Sequence, residues 1–135
     1  MKGTYVLIIE NKKNQEIKIG KLGTIFFKKG FYAYVGSAQN GLKQRINRHI
    51  RSDKKYHWHI DYLLKNTKIV NIYYKEGEKK DECIFSNILD KFFVFIPRFG
   101  CSDCKCNSHL YYSNESNFNK YLIKNNMCIY KHIQN

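Results

Sequence analysis

This sequence is short of proline and, relative to its basic residues, of acidic side chains. One proline in 135 residues, Pro97, leaves no proline-rich linker to divide the chain. No apolar run approaches the roughly eighteen residues that a bilayer-spanning helix needs, and the first residues lack a signal-peptide pattern. A cytoplasmic protein with no membrane partner is therefore expected. The five cysteines are an odd number, and three of them crowd between Cys101 and Cys106. That distribution argues against a secreted disulfide framework and for reduced thiols or a metal. With no internal repeat and 43% hydrophobic residues, the length suits one compact domain over residues 1–135 and is too short for two.

The acidic shortage sets the charge. Eleven Asp and Glu stand against 24 Lys and Arg, a formal net charge of +13. Such an excess costs self-repulsion unless a polyanion uses it, which makes nucleic acid the first candidate partner. Lysine-rich surfaces also arise from biased base composition and from solubility, and the many Asn, Lys, Ile and Tyr residues fit that origin too. Charge and aromatic content together favour nucleic-acid binding.

Gly3 to Glu10 is a β-branched apolar run without breakers, the composition of a central strand buried on both faces. Strand-like pieces at Glu16–Ile19, Gly23–Phe27 and Phe31–Val35 then predict an antiparallel meander. A helix follows, with Leu42, Ile46 and Ile50 as its buried stripe and Asn40 as its N-cap. A second helix is expected over His57–Leu64, packing through Trp58, Tyr62 and Leu63 or their neighbours, and a further strand over Thr67–Lys75. Asp81–Phe93 carries Ile84, Phe85, Ile88, Leu89 and Phe92 at helical spacing, with acids in its first turn. The irregular loop Arg98–His109 precedes a short strand from Leu110, a polar turn, a helix around Phe118–Lys124 and a last strand through Met127–Ile133.

The stretch Gly30–Arg51 concentrates chemistry. Arg45 and His49 are four residues apart and share a helix face. Lys43, Arg48 and Arg51 add cations to that helix. Gly36 to Gly41 is a small-residue turn into the helix, which either presents free N–H groups to a phosphate, with Ser37 joining, or is simply a tight turn. His57 and His59 flank Trp58 and either reach nucleic acid or form a buried, hydrogen-bonded pair. Cys101, Cys104, Cys106 and His109 put four soft ligands in nine residues; they form either a zinc clip or a folded loop of reduced thiols lining the site.

Gly3-Thr4-Tyr5, Tyr34-Val35-Gly36 and Arg45 on the next helix, in that order, resemble the GIY-YIG endonuclease superfamily. Within it the chain looks most like a small, single-domain, mainly archaeal branch of uncharacterised function, in which YVGSA, HWHIDYLL and a DCxCxSHL-like run recur. The likeness covers about residues 2–112, the remainder being an addition packed on the same domain. It departs from the wider superfamily in two ways that the branch shares: the hairpin Glu16–Phe27 separates the tripeptides, and Ser37 stands where many members have lysine. The resemblance implies an α/β (α+β) fold, a mixed, largely antiparallel central sheet flanked by helices with an inserted hairpin. It also implies metal-dependent cleavage of DNA, possible substrates being damaged or structured DNA, with RNA left open.

Each matched residue has a physical task in that reaction. Arg45 grips phosphate oxygens with its planar fork and stabilises developing charge. Tyr5 and Tyr34 orient a water and relay its proton, and His49, where members carry Tyr or His, accepts it. By the same resemblance Glu82, opening the helix after the third strand, is the ligand for Mg²⁺ or Mn²⁺, with Asp81 as the alternative. A nucleic-acid-binding module that kept the fold without catalysis, and a Zn²⁺-stabilised interaction domain, are the competing expectations.

Overall fold

The computed structural model describes residues 2–77, 81–101 and 105–131. Its centre is β1 (Gly3–Asn11), whose predicted burial on both faces is observed. Two long strands flank it, β4 (Gly30–Ala38) and β5 (Lys68–Glu76), both antiparallel to it. Beyond β4 lie β7 (Leu110–Ser113) and the two-residue β6 (Val94–Phe95); beyond β5 lies β8 (Cys128–Ile129). The sheet of six strands runs β6-β7-β4-β1-β5-β8, and every pair in it is antiparallel. Helices α1 (Leu42–Ile50), α2 (His59–Leu64), α3 (Glu82–Asp90) and α4 (Asn119–Lys124) flank it.

The expected meander is corrected. The hairpin β2 (Gln15–Lys18) and β3 (Thr24–Phe27) forms its own two-stranded sheet, and β1 pairs directly with β4. Nine residues of β1 find nine partners on β4, which leaves no edge for a four-residue strand between them. The hairpin instead contributes Ile17, Ile19 and Phe27 to the core beneath α2.

Alternation along β1 builds two cores. Tyr5, Leu7 and Ile9 point to one face with Tyr32, Tyr34, Leu42, Ile46, Ile60 and Leu63. Val6 and Ile8 point to the other, with Val35, Tyr73, Phe85, Leu89 and Leu122. So α1, α2 and the hairpin cover one side, and α3 and α4 the other.

Two helix stripes differ from expectation. On α1 the buried residues are Leu42, Ile46 and His49, while Ile50 is 39% exposed. At 100° per residue, seven steps bring the helix back to within about 20° of Leu42 whereas eight overshoot by about 80°. The N-cap is Gly41, at φ 153°, not Asn40. On α3, Phe85, Ser86 and Leu89 are buried but Ile84 and Phe92 are each 56% exposed, Phe92 stacking on Tyr121 at the surface.

Candidate functional site

Two glycines shape the site's floor. Gly36 lies opposite Tyr5 in the β1–β4 register, and a β-carbon there would run into the Tyr5 ring and hydroxyl. One at Gly3 would collide with the Lys75 carbonyl on β5. The glycines therefore let the strands close up while the Tyr5 ring lies across the sheet. Tyr34, two residues before Gly36, is the diagonal neighbour of Tyr5 on the same face.

Above these tyrosines sits α1, carrying His49. Its Nε2 is 2.6 Å from the Tyr5 hydroxyl, and its ring lies 5.3 Å from that of Tyr5 and 6.2 Å from that of Tyr34. Burial, reinforced by the Lys54 ammonium, pushes the His49 pKa down to about 3, so the imidazole is neutral. Burial also drives the Tyr5 hydroxyl far above the ordinary phenol value, against the charge and hydrogen bond of Arg45. Tyr5 is thus a phenol and His49 a neutral ring, with one proton lying between the Tyr5 oxygen and Nε2. The His49 Nδ1 is buried with no hydrogen-bond partner among the described residues. Tyr34 is raised as well, by burial first and then by Tyr5, Glu82 and Asp61, with Arg45 opposing.

Arg45 is held in place by its neighbours. Its Nη1 donates to the Ser37 carbonyl at 3.1 Å, and its guanidinium lies 4.5 Å from the Trp58 ring centroid. The Arg48 guanidinium also covers Trp58, at 4.3 Å. Arg48 forms a two-pronged pair with Asp61 (3.0 and 3.1 Å) and donates to the Lys55 carbonyl. Asp61 is fully buried at the start of α2, where one oxygen also accepts the His57 and Trp58 amides. Burial raises its pKa, but the Arg48 bonds and the two amides outweigh this and hold the carboxyl below its usual range. Trp58 and Asp61 therefore position the helix α1 arginines.

Glu82 is the first residue of α3, and its charge acts on Tyr5, Tyr34 and His109. Asp81 instead lines a separate hollow with Lys75, Ile84 and Lys124. The structure thus groups Tyr5, Tyr34, Arg45 and His49, drawn from β1, β4 and α1, while Glu82 of α3 acts on the two tyrosines through its charge. A carboxylate such as that of Glu82 suits a hard cation that keeps several waters and takes further oxygens from a phosphate. Beside His49 opens a cavity of about 370 Å³, lined by Arg51, Lys54, Asp61, Lys65 and Lys68.

The other predicted residues are dispersed. Lys43, Arg51 and His57 are exposed. His59 accepts the Gly100 amide at Nδ1 (2.9 Å) and packs on Phe99, a structural bond between α2 and the 98–109 loop. In that loop, Cys106 and His109 join Cys83 of α3: their ligand atoms lie within 4.8 Å of one another, a group that could hold a metal ion. Cys101 is not a member, and Cys104 lies outside the described residues. Cys83 was missed because its partners are far away in sequence.

The family model described as a domain of unknown function, DUF123, matches residues 4–131. The chain belongs to this DUF123 family. No curated protein and no solved structure matches it. The DUF123 match spans every strand and helix described above except Gly3, the first residue of β1, so the tyrosines, α1, Glu82 and the cysteine–histidine group all lie within the family's domain. None of the helices among the described residues is long and apolar enough to cross a membrane.

Proposed function

We propose that this DUF123 domain is a divalent-metal-dependent endonuclease that hydrolyses DNA phosphodiester bonds, organised like the GIY-YIG superfamily. The observation that carries the reading is the 2.6 Å contact between the Tyr5 hydroxyl and His49, with Arg45 and Glu82 acting on the same hydroxyl. Phosphodiester hydrolysis needs a water deprotonated, charge on the phosphate neutralised and the leaving oxygen stabilised. Tyr5, passing its own proton to His49 Nε2 while taking one from water, performs the first step. Arg45 binds the non-bridging oxygens, preorganised on Trp58 and the Ser37 carbonyl. The Mg²⁺ or Mn²⁺ ion that Glu82 would hold supplies charge stabilisation at the leaving oxygen.

A base with a pKa of about 3 is weak, and the substrate itself corrects this. A phosphate brought beside His49 offsets the burial and the Lys54 charge that depress it, so basicity rises when DNA is bound. That weakness in the free protein is also what favours the second reading, a nucleic-acid-binding module without turnover, to which Ser37 in place of lysine adds.

Nicking and cutting of branched, flapped and damaged DNA with Mg²⁺ or Mn²⁺ separates the two. Arg45→Ala and Glu82→Ala should each lower the cleavage rate by at least about 100-fold, as for loss of one charge-stabilising group. No cleavage of any substrate, or cleavage unaffected by both substitutions, defeats the nuclease reading. Salt-sensitive binding without turnover then selects the binding module.

A further inference from the structure

We infer that Cys83, Cys106 and His109, three ligands among the described residues, form a zinc site that clips α3 to the loop that enters β7. The donors come from separate segments: Cys83 from the first turn of α3, Cys106 from the loop, His109 from the residue before β7. Their ligand atoms lie within 4.8 Å of one another. Around a tetrahedral zinc, with Zn–S about 2.3 Å and Zn–N about 2.0 Å, such atoms stand about 3.5–3.8 Å apart. A contraction of about 1 Å, within the reach of side-chain torsions, closes the set on an ion.

The donor chemistry selects the metal. Two thiolates and an imidazole suit zinc and exclude a hard cation such as Mg²⁺, which takes oxygen. The two cysteines that the group holds among the described residues fall short of the four that hold an iron–sulfur cluster. The ion's surroundings are also built for ligation. Ser86 Oγ is 2.6 Å from His109 Nδ1, so the ring is oriented and Nε2 is the nitrogen that takes the metal. Ser86 follows Cys83 by three residues on one helix face, so α3 supplies both a ligand and the group that aims another. The His109 backbone is fixed on both sides, its carbonyl accepting the Val35 amide at 2.9 Å and its own amide donating to the Phe99 carbonyl at 2.8 Å. The site is distinct from the hard-cation position at Glu82. Glu82 is nevertheless the residue before Cys83, so an ion on Cys83 also fixes the first turn of α3 on which that carboxylate stands.

Only this last consequence rests on the nuclease reading; zinc binding does not. The test is metal analysis by inductively coupled plasma mass spectrometry on full-length protein purified without added zinc. About one zinc per chain is expected, falling to near zero in Cys83→Ser and Cys106→Ser and unchanged in Cys101→Ser. Cobalt loaded into the wild-type protein gives a second measurement that needs no variant, its spectrum reporting tetrahedral coordination and two thiolate ligands. Zinc well below one per chain that does not rebind on addition of Zn²⁺ overturns the inference. So does zinc retained in both serine variants, or cobalt with fewer than two thiolates. Stoichiometric zinc without DNA cleavage defeats the nuclease reading alone, and cleavage by a protein that neither carries nor rebinds zinc defeats the zinc site alone.

Discussion

Acidification should destabilise this domain through His49. The folded-state pKa is about 3 against an ordinary value of 6.5, because the ring is enclosed between Tyr5, Tyr34 and Trp58 and faces the Lys54 charge. Between those two values the unfolded chain holds a proton that the folded chain does not, so stability increases with pH. The His49 contribution is fully present above the unfolded value and is lost as pH falls toward the folded one. At pH 4.5 the folded ring is still neutral while the unfolded one is almost fully charged, which makes the loss from pH 7 about 2.5 kcal/mol. His59 and His109 are also lowered by burial and act with the same sign, so wild type must be compared with a variant. His49→Gln is suitable, since its amide does not titrate yet can still meet the Tyr5 hydroxyl. Urea unfolding followed by far-UV circular dichroism at pH 7 and pH 4.5 gives both differences. The wild-type loss should exceed that of the variant by about 2.5 kcal/mol. Equal losses would show that His49 is not held neutral, and the proton relay through Tyr5 would fall with it. Asp61 does not confuse the comparison: its carboxyl is held below its ordinary 3.8, and pH 4.5 stays above both its states.

Two further outcomes follow from neighbouring contacts. Gly36→Ala places a methyl where the Tyr5 ring and hydroxyl stand, so it should cost about 1–3 kcal/mol by thermal unfolding and displace Tyr5 from His49. A variant as stable as wild type would mean that the sheet has room there. Asp61→Ala leaves the Arg48 guanidinium and the His57 and Trp58 amides without their acceptor, and should cost about 3–5 kcal/mol in urea, as when one partner of a buried pair is removed. A loss below 1 kcal/mol would show the pair to be dispensable.

Much of this arrangement was legible in the sequence where local pattern decides structure. The breaker-free run at Gly3–Glu10 is the central strand, and its alternation supplies both cores. Arg45 and His49 do share a face of α1, as a four-residue spacing requires. What could not be read was register and long-range partnership. His49 took the buried place expected of Ile50 because the helix returns after seven residues, and the burial that follows changes it from a surface base into a neutral one. The hairpin left the main sheet because β1 and β4 matched in length, a property of two distant strands. Cys83 was invisible as a ligand since its partners lie beyond β6, in a loop that only the docking of α3 on β4 and β7 brings near.

The division of the core by the central sheet has a consequence for the site. Tyr5, Tyr34, Arg45 and His49 belong to the layer under α1 and α2, whereas Glu82 and Cys83 belong to α3 on the opposite layer. A partly opened molecule that frees either layer keeps half of the groups and none of the cleft, so the assembled site exists only while both faces are packed. The site thus works as a check on its own scaffold: a chain with a single finished face has the hydroxyls or the carboxylate, never the two together.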